Sequence, residues 1–133
     1  MTLPTPIVDH IAPVYFVAIS EQGPSWDASR GMREQQYWTD HVTFINGLIE
    51  DRTLLLGGPL ADSSLVGNDS APLSGPVGED RLYRAILIVD GTSRDEVRRR
   101  LAEDPWVRNG LLATRSIDRW EVLVGDPAGS SES

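Results

Sequence analysis

The stretch Gln35–Leu60, QQYWTDHVTFINGLIEDRTLLLGGPL, changes its apolar rhythm once, and that change decides the fold. Over Gln35–Glu50 the residues Trp38, Val42, Ile45, Leu48 and Ile49 recur at helical spacing, which predicts an amphipathic helix ending near Glu50-Asp51. Thr53–Gly58 is then a short apolar run closed by Pro59, which predicts a strand. His41 stands three residues after Trp38 and four before Ile45, on the stripe that must face the core. An imidazole there needs a partner for its ring nitrogens, and the site sets its charge state. The best candidate partner is Asp104, in Glu103-Asp104-Pro105-Trp106.

Working outward, Pro13–Ser20 (PVYFVAIS) reads as a strand that is apolar on both faces, so both faces should be covered. Glu21–Arg33 is a loop marked by Gly23-Pro24 and Gly31, and Ala61–Asp80 is a long Gly, Ser, Pro and Asp-rich excursion. Loops of that length often line sites. Arg81–Asp90 is a third strand, again apolar on both faces in its second half. Ser93-Arg94-Asp95-Glu96 is a capping box that opens a second helix, with Val97 and Leu101 on its buried edge and Pro105 as its stop. Leu111–Val124 holds the last strand or strands. Residues 1–12 read as a flexible arm, 13–124 as one domain and 125–133 as a disordered tail.

The order strand, helix, strand, strand, helix, strand is the split βαβ arrangement of a ferredoxin-like α+β fold. Two helices cover one face of such a sheet. A second copy of the sheet is the simplest cover for the other, which predicts a homodimer packed through its sheet faces, a dimeric α+β barrel.

Composition removes several chemistries. With no cysteine there are no thiol nucleophiles, disulfides, iron–sulfur clusters or thiolate zinc sites. All 12 basic residues are arginine, so a lysine Schiff base and a Walker A loop are excluded. The net charge of −8 repels phosphate backbones, so no nucleic-acid partner is expected. The run Arg98-Arg99-Arg100 lies in the last turns of a helix, where cations suit the dipole, and reads as a solvated face. The first residues lack the basic region of a signal peptide and no apolar run is long enough to span a membrane. A soluble, cytoplasmic chain without membrane partners is expected. His10 has no ligand spacing that recommends a metal, and no nucleophile elbow or dinucleotide fingerprint occurs, so no metal and no cofactor are expected.

Several side chains join His41 and Asp104 as candidates for a site. Arg33 could clamp an anionic oxygen, or pair on the surface with Glu34 or Asp27. Gly57-Gly58-Pro59 at a strand end could admit a ligand close to backbone, or form a bulge and turn that the fold requires. Trp26, Trp38 and Trp106 could form an aromatic wall, although the positions of Trp38 and Trp106 also suit core packing. Gln36 and Tyr37 are weaker candidates for polar groups. Asp104 closes the second helix in this reading, where a negative charge is unfavourable unless it has a partner such as His41.

The ordered set Met32-Arg33-Glu34-Gln35, His41, Leu54-Leu55-Leu56-Gly57-Gly58-Pro59-Leu60, Ala102-Glu103-Asp104-Pro105-Trp106, Ile117 and Trp120 resembles the YCII-related proteins over roughly residues 13–124. The resemblance implies the dimeric α+β barrel fold and a His–Asp pair in a pocket, carried here by His41 and Asp104. A relative acts as a dehydrochlorinase on a hydroxylated aromatic, and other barrels of the superfamily are isomerases, monooxygenases or peroxidases. The loops Glu21–Arg33 and Ala61–Asp80 are longer here than the family's pattern.

Together these features predict an enzyme of cofactor-independent acid–base chemistry (elimination, isomerisation or hydrolysis) on a small molecule. In that reading His41 moves the proton and Asp104 orients it, while Arg33, Trp26, Gly58, Pro59 and Trp106 meet the substrate. The alternative is a non-catalytic small-molecule-binding or accessory protein of the same fold.

Overall fold

The computed structural model of the protein describes residues 14–61, 72–78 and 81–125. The expected arm at 1–12, most of the expected tail at 125–133 and the middle of the Ala61–Asp80 excursion lie outside the described residues. The elements run β1 (Tyr15–Gln22), a 3-10 turn (Met32–Glu34), α1 (Trp38–Glu50), β2 (Leu54–Pro59), β3 (Arg84–Asp90), α2 (Arg94–Leu101), α3 (Pro105–Arg108) and β4 (Leu112–Trp120). The strands form one four-stranded antiparallel sheet in the order β2-β3-β1-β4, a ferredoxin-like α+β arrangement.

One face of the sheet lies under the helices. Phe16, Ala18, Val89 and Ile117 meet Leu48 of α1 and Val97 and Leu101 of α2 in a buried cluster. Each large aliphatic side chain removed from water there contributes about 1.5–3 kcal/mol. A second cluster, built on Trp26, Tyr83, Trp106, Leu111 and Leu112, fills the end of the sheet nearest the long loops. The opposite face carries Tyr15, Val17 and Ile19 of β1, level with Ile86 and Ile88 of β3 and with Trp120 of β4. Leu56 and Trp120 are 55% and 39% exposed, large apolar side chains without cover among the described residues.

Two register shifts interrupt the ladder. Ile19 pairs with Ser116 but Ser20 with Thr114, so Arg115 is an extra residue in β4. Leu54 pairs with Val89 but Leu56 with Ile88, so Leu55 is extra in β2. Because strand side chains alternate, each shift changes which residues beyond it face the helices. Thr114 thereby joins Ser20 and Ala85 on the helix-covered face.

Three local expectations require correction. The first helix starts at Trp38, not Gln35. Gln35 is buried and its amide is used elsewhere: Oε1 accepts from the Asp27 amide at 2.9 Å and Nε2 donates to the Asp27 carbonyl at 2.7 Å. Tyr37 then turns the chain into the helix with φ 63, a left-handed conformation that bulky residues rarely adopt. Second, Asp104 does not close α2. It caps the start of α3, with Pro105 at the first helical position, so its charge sits at the favourable end of that helix. Third, the last strand ends at Trp120, and Val122 and Val124 lie beyond it.

The capping box of α2 forms with a variation. Ser93 Oγ accepts from the Glu96 amide at 3.1 Å, while the Glu96 carboxylate reaches one residue further back, accepting from the Thr92 amide at 2.7 Å and its hydroxyl at 2.8 Å. These bonds, the backbone one first, hold the Glu96 carboxyl below its usual value of 4.5. Its contribution is therefore present above that value and lost as pH falls through the lower folded one. Ser93→Ala should lower stability by about 1 kcal/mol, read as a shift of the urea midpoint at unchanged slope. Glu96→Gln should flatten the fall of that midpoint between about pH 5 and pH 3 relative to wild type.

Candidate active site

Two residues 63 apart in sequence meet at the centre of the site. His41 projects from the first turn of α1 and Asp104 from the N-cap of α3, and the His41 Nδ1 lies 2.9 Å from both carboxylate oxygens. The side chains are 14% and 7% exposed. Asp104 Oδ1 also accepts from the Trp106 amide at 2.9 Å. The carboxylate is thus fixed by α3 before it meets the imidazole. The imidazole in turn lies flat on Trp106, ring centroids 3.8 Å apart and planes at 10°. Trp106 is anchored by its own indole N–H, which donates to the Gln36 carbonyl at 2.7 Å. Backbone, carboxylate and indole together leave the imidazole little freedom to turn.

An ionised Asp104 can only accept, so the proton on the bonded nitrogen belongs to His41. That places the lone pair of the deprotonated ring on Nε2, which has no hydrogen-bond partner among the described residues. A carboxylate-oriented imidazole with a free basic nitrogen is the arrangement of a general base.

The site opens on a cavity of about 200 Å³ between α1, α3 and the helix-covered face of the sheet. An apolar cavity of about 150 Å³ is enough to bind benzene, so this one suits a single six-membered ring with small substituents. Trp38, Ile45, Leu87, Pro59 and Trp106 supply apolar walls. Besides His41 and Asp104, its polar lining includes the hydroxyl residues Ser20, Thr114 and Tyr83. Among the described residues the Tyr83 hydroxyl donates to the Met32 thioether alone, at 3.5 Å. Burial pushes Tyr83 up to about 12, against the pull of the Arg33 charge, so it stays protonated at neutral pH.

Of the residues singled out in the sequence, His41, Asp104, Gly57, Gly58, Pro59, Trp38 and Trp106 line this cavity. Trp26 does not. It lies behind the wall, stacked on Tyr83 at 4.3 Å and edge-on to Trp106 at 5.3 Å, with its indole N–H buried and unbonded. Arg33 is exposed on the 3-10 turn and is not part of the lining, where no arginine is found among the described residues. Tyr37 is exposed, and Gln36 contributes only its carbonyl, to Trp106. Gly58 has open space where a side chain would project, whereas a Cβ on Gly57 would stand 2.7 Å from Leu87 Cδ2. The close approach in this pair is therefore made at Gly57. Ser20, Thr114 and Tyr83 were not singled out. Ser20 shares the parity of Phe16 and Ala18, a signal in plain view, but Thr114 reaches the cavity only through the bulge.

Neither a family model nor a curated protein matches the chain. Among solved structures it is similar to 5-chloro-2-hydroxyhydroquinone dehydrochlorinase (TftG) from Burkholderia phenoliruptrix, in complex with 2,5-dihydroxybenzoquinone. The identity is 18% and the TM-score 0.51, over 81% of this chain and 93% of that one. The likeness is one of fold. Among the described residues no helix is long and apolar enough to cross a membrane, and no cluster of three or more potential metal ligands occurs.

In the deprotonated ring, long-range proton–nitrogen correlation spectra should show Nδ1 as the protonated nitrogen of His41 and Nε2 as the bare one, with His10→Ala supplying the assignment. Asp104→Asn should keep the cap on Trp106 yet admit the other tautomer. Asp104→Ala, which removes the cap as well, should be the less stable of the two by about 1 kcal/mol.

Proposed function

We propose that this chain is an enzyme of cofactor-independent proton transfer, acting on a small, neutral, cyclic substrate by elimination, isomerisation or hydrolysis. The observation that carries this reading is the His41–Asp104 bond at 2.9 Å, opening on an apolar cavity of single-ring size. His41 Nε2 takes a proton from the bound ring, and Asp104 holds the tautomer and stabilises the imidazolium that results. Trp106 keeps the imidazole plane fixed, and the apolar walls exclude water, which strengthens every charge interaction formed during the reaction. The dehydrochlorinase of similar fold has a dihydroxybenzoquinone in its structure, a ligand of the size this cavity suits, and that agreement supports the reading.

A second reading is non-catalytic binding of the same class of molecule. It is favoured by the scarcity of polar groups: beyond the pair, the lining has hydroxyls and indoles but no further ionic side chain among the described residues. Both readings take the molecule to be a dimer through its open sheet face, since Leu56, Trp120, Ile86 and Ile19 lie on that side.

The experiment that separates the readings is hydrogen exchange in deuterated water, run over a panel of cyclic ketones and hydroxylated rings. The protein should accelerate deuteration of at least one compound, and His41→Ala should remove roughly 100-fold or more of that acceleration while leaving binding intact. Binding without exchange would replace the catalytic reading with the second. Sedimentation at micromolar concentration should give twice the 14.6 kDa of one chain, and Ile19→Arg should return the single-chain mass. A single-chain mass for wild type would remove the dimer.

A further inference from the structure

Ser20 is a hydroxyl in an unusual position. The residue is only 3% exposed, it lines the cavity, and no hydrogen bond engages its side chain among the described residues. A hydroxyl in a cavity wall that no protein group engages is free to donate to whatever binds there. Thr114 lines the cavity too, and no hydrogen bond engages its hydroxyl either. The two are direct cross-strand partners on the helix-covered face, and the extra residue Arg115 is what brings them level. Opposed side chains of this kind stand about 4.5–5.5 Å apart at Cβ, close enough for both hydroxyls to reach a single oxygen. His41 and Asp104 come from the helical side of the same cavity, so hydroxyl floor and basic roof are set against each other.

We propose that Ser20 and Thr114 form an oxyanion-binding floor for the carbonyl oxygen of a cyclic ketone or dienone whose α proton His41 removes. The inference rests on the acid–base reading above and specifies its substrate. In the step, the α C–H bond breaks and its proton passes to His41 Nε2. The electron pair forms the C=C bond of an enolate, and the carbonyl π pair becomes the charge on oxygen. The two hydroxyls donate to that oxygen as its charge grows, which is where fixed donors accelerate a reaction most. Where a second double bond extends the enolate to a dienolate, return of the proton at the γ carbon shifts the double bond; where the β carbon bears a leaving group, the carbonyl re-forms, a Cα=Cβ bond is made and the group departs with its electron pair. A carboxylate or phosphate substituent is disfavoured, because a full charge would enter an apolar cavity whose lining has no arginine among the described residues.

Cyclohexanone is the probe, with methylenecyclohexane as a partner of the same shape but without the oxygen. Wild type should accelerate α-deuteration of cyclohexanone in deuterated water. Ser20→Ala and Thr114→Val should each lower the accelerated rate roughly 10-fold or more, and neither should alter binding of methylenecyclohexane in saturation-transfer spectra. Thr114→Ser, which keeps the hydroxyl, should recover most of the rate that Thr114→Val loses. In the His41→Ala background the bound carbonyl stretch should lie below that of the ketone in an alkane solvent, and adding Ser20→Ala with Thr114→Val should return it to the alkane position. Rates that survive both substitutions, or a carbonyl stretch indifferent to them, overturn the floor and leave His41 chemistry standing. A carbonyl shift that depends on both hydroxyls, in a protein that deuterates nothing, keeps the floor and overturns the base. Failure of cyclohexanone to bind overturns the floor.

Discussion

One carboxylate organises the site. Asp104 caps α3 through the Trp106 amide and binds the imidazole of His41 with the same group. The first bond fixes where the carboxylate lies, and the second fixes how the imidazole turns. Trp106, whose amide is capped, carries the ring on which that imidazole stacks. The four residues Pro105–Arg108 are too few to be a stable helix by themselves. They are kept in place by the cap, by the Trp106 indole bond to Gln36 and by burial of Trp106 against Trp26 and Trp38. Fold and site are coupled at this point: what stabilises α3 also orients the base.

Much of the architecture was legible because its signals are long. The helical stripe from Trp38 to Ile49, the apolar runs of β1 and β3 and the Ser93 cap each extend over several residues and agree with one another. His41 was visible for the opposite reason, as a polar residue on an apolar stripe. Its partner was visible as a carboxylate beside an Asp-Pro signal, but with its helix assigned wrongly. Asp-Pro reads as the end of α2, yet the dipeptide is equally the beginning of a new helix with Asp as cap and Pro at the first position. A four-residue helix has no periodicity from which to tell the two apart.

The remaining differences arise from contacts distant in sequence. Gln35 has the propensity to open a helix, yet its amide holds Asp27 and Arg30 in the preceding loop, and α1 starts only after Tyr37. Arg33 belongs to the same short turn and its charge reaches the buried Tyr83 hydroxyl without entering the cavity. The position of Thr114 depends on pairing between strands, which no local pattern in β4 reports.

The bulge at Arg115 separates two ways in which such a chain can diverge. Replacing a residue alters what the floor carries, one position at a time. Losing or gaining a residue in β4 instead exchanges the floor wholesale, since every side chain on the Leu112 side of the change swaps faces while the ladder and the helices above stay in place. A length change of one codon there is a route to a new ligand preference on an unaltered scaffold.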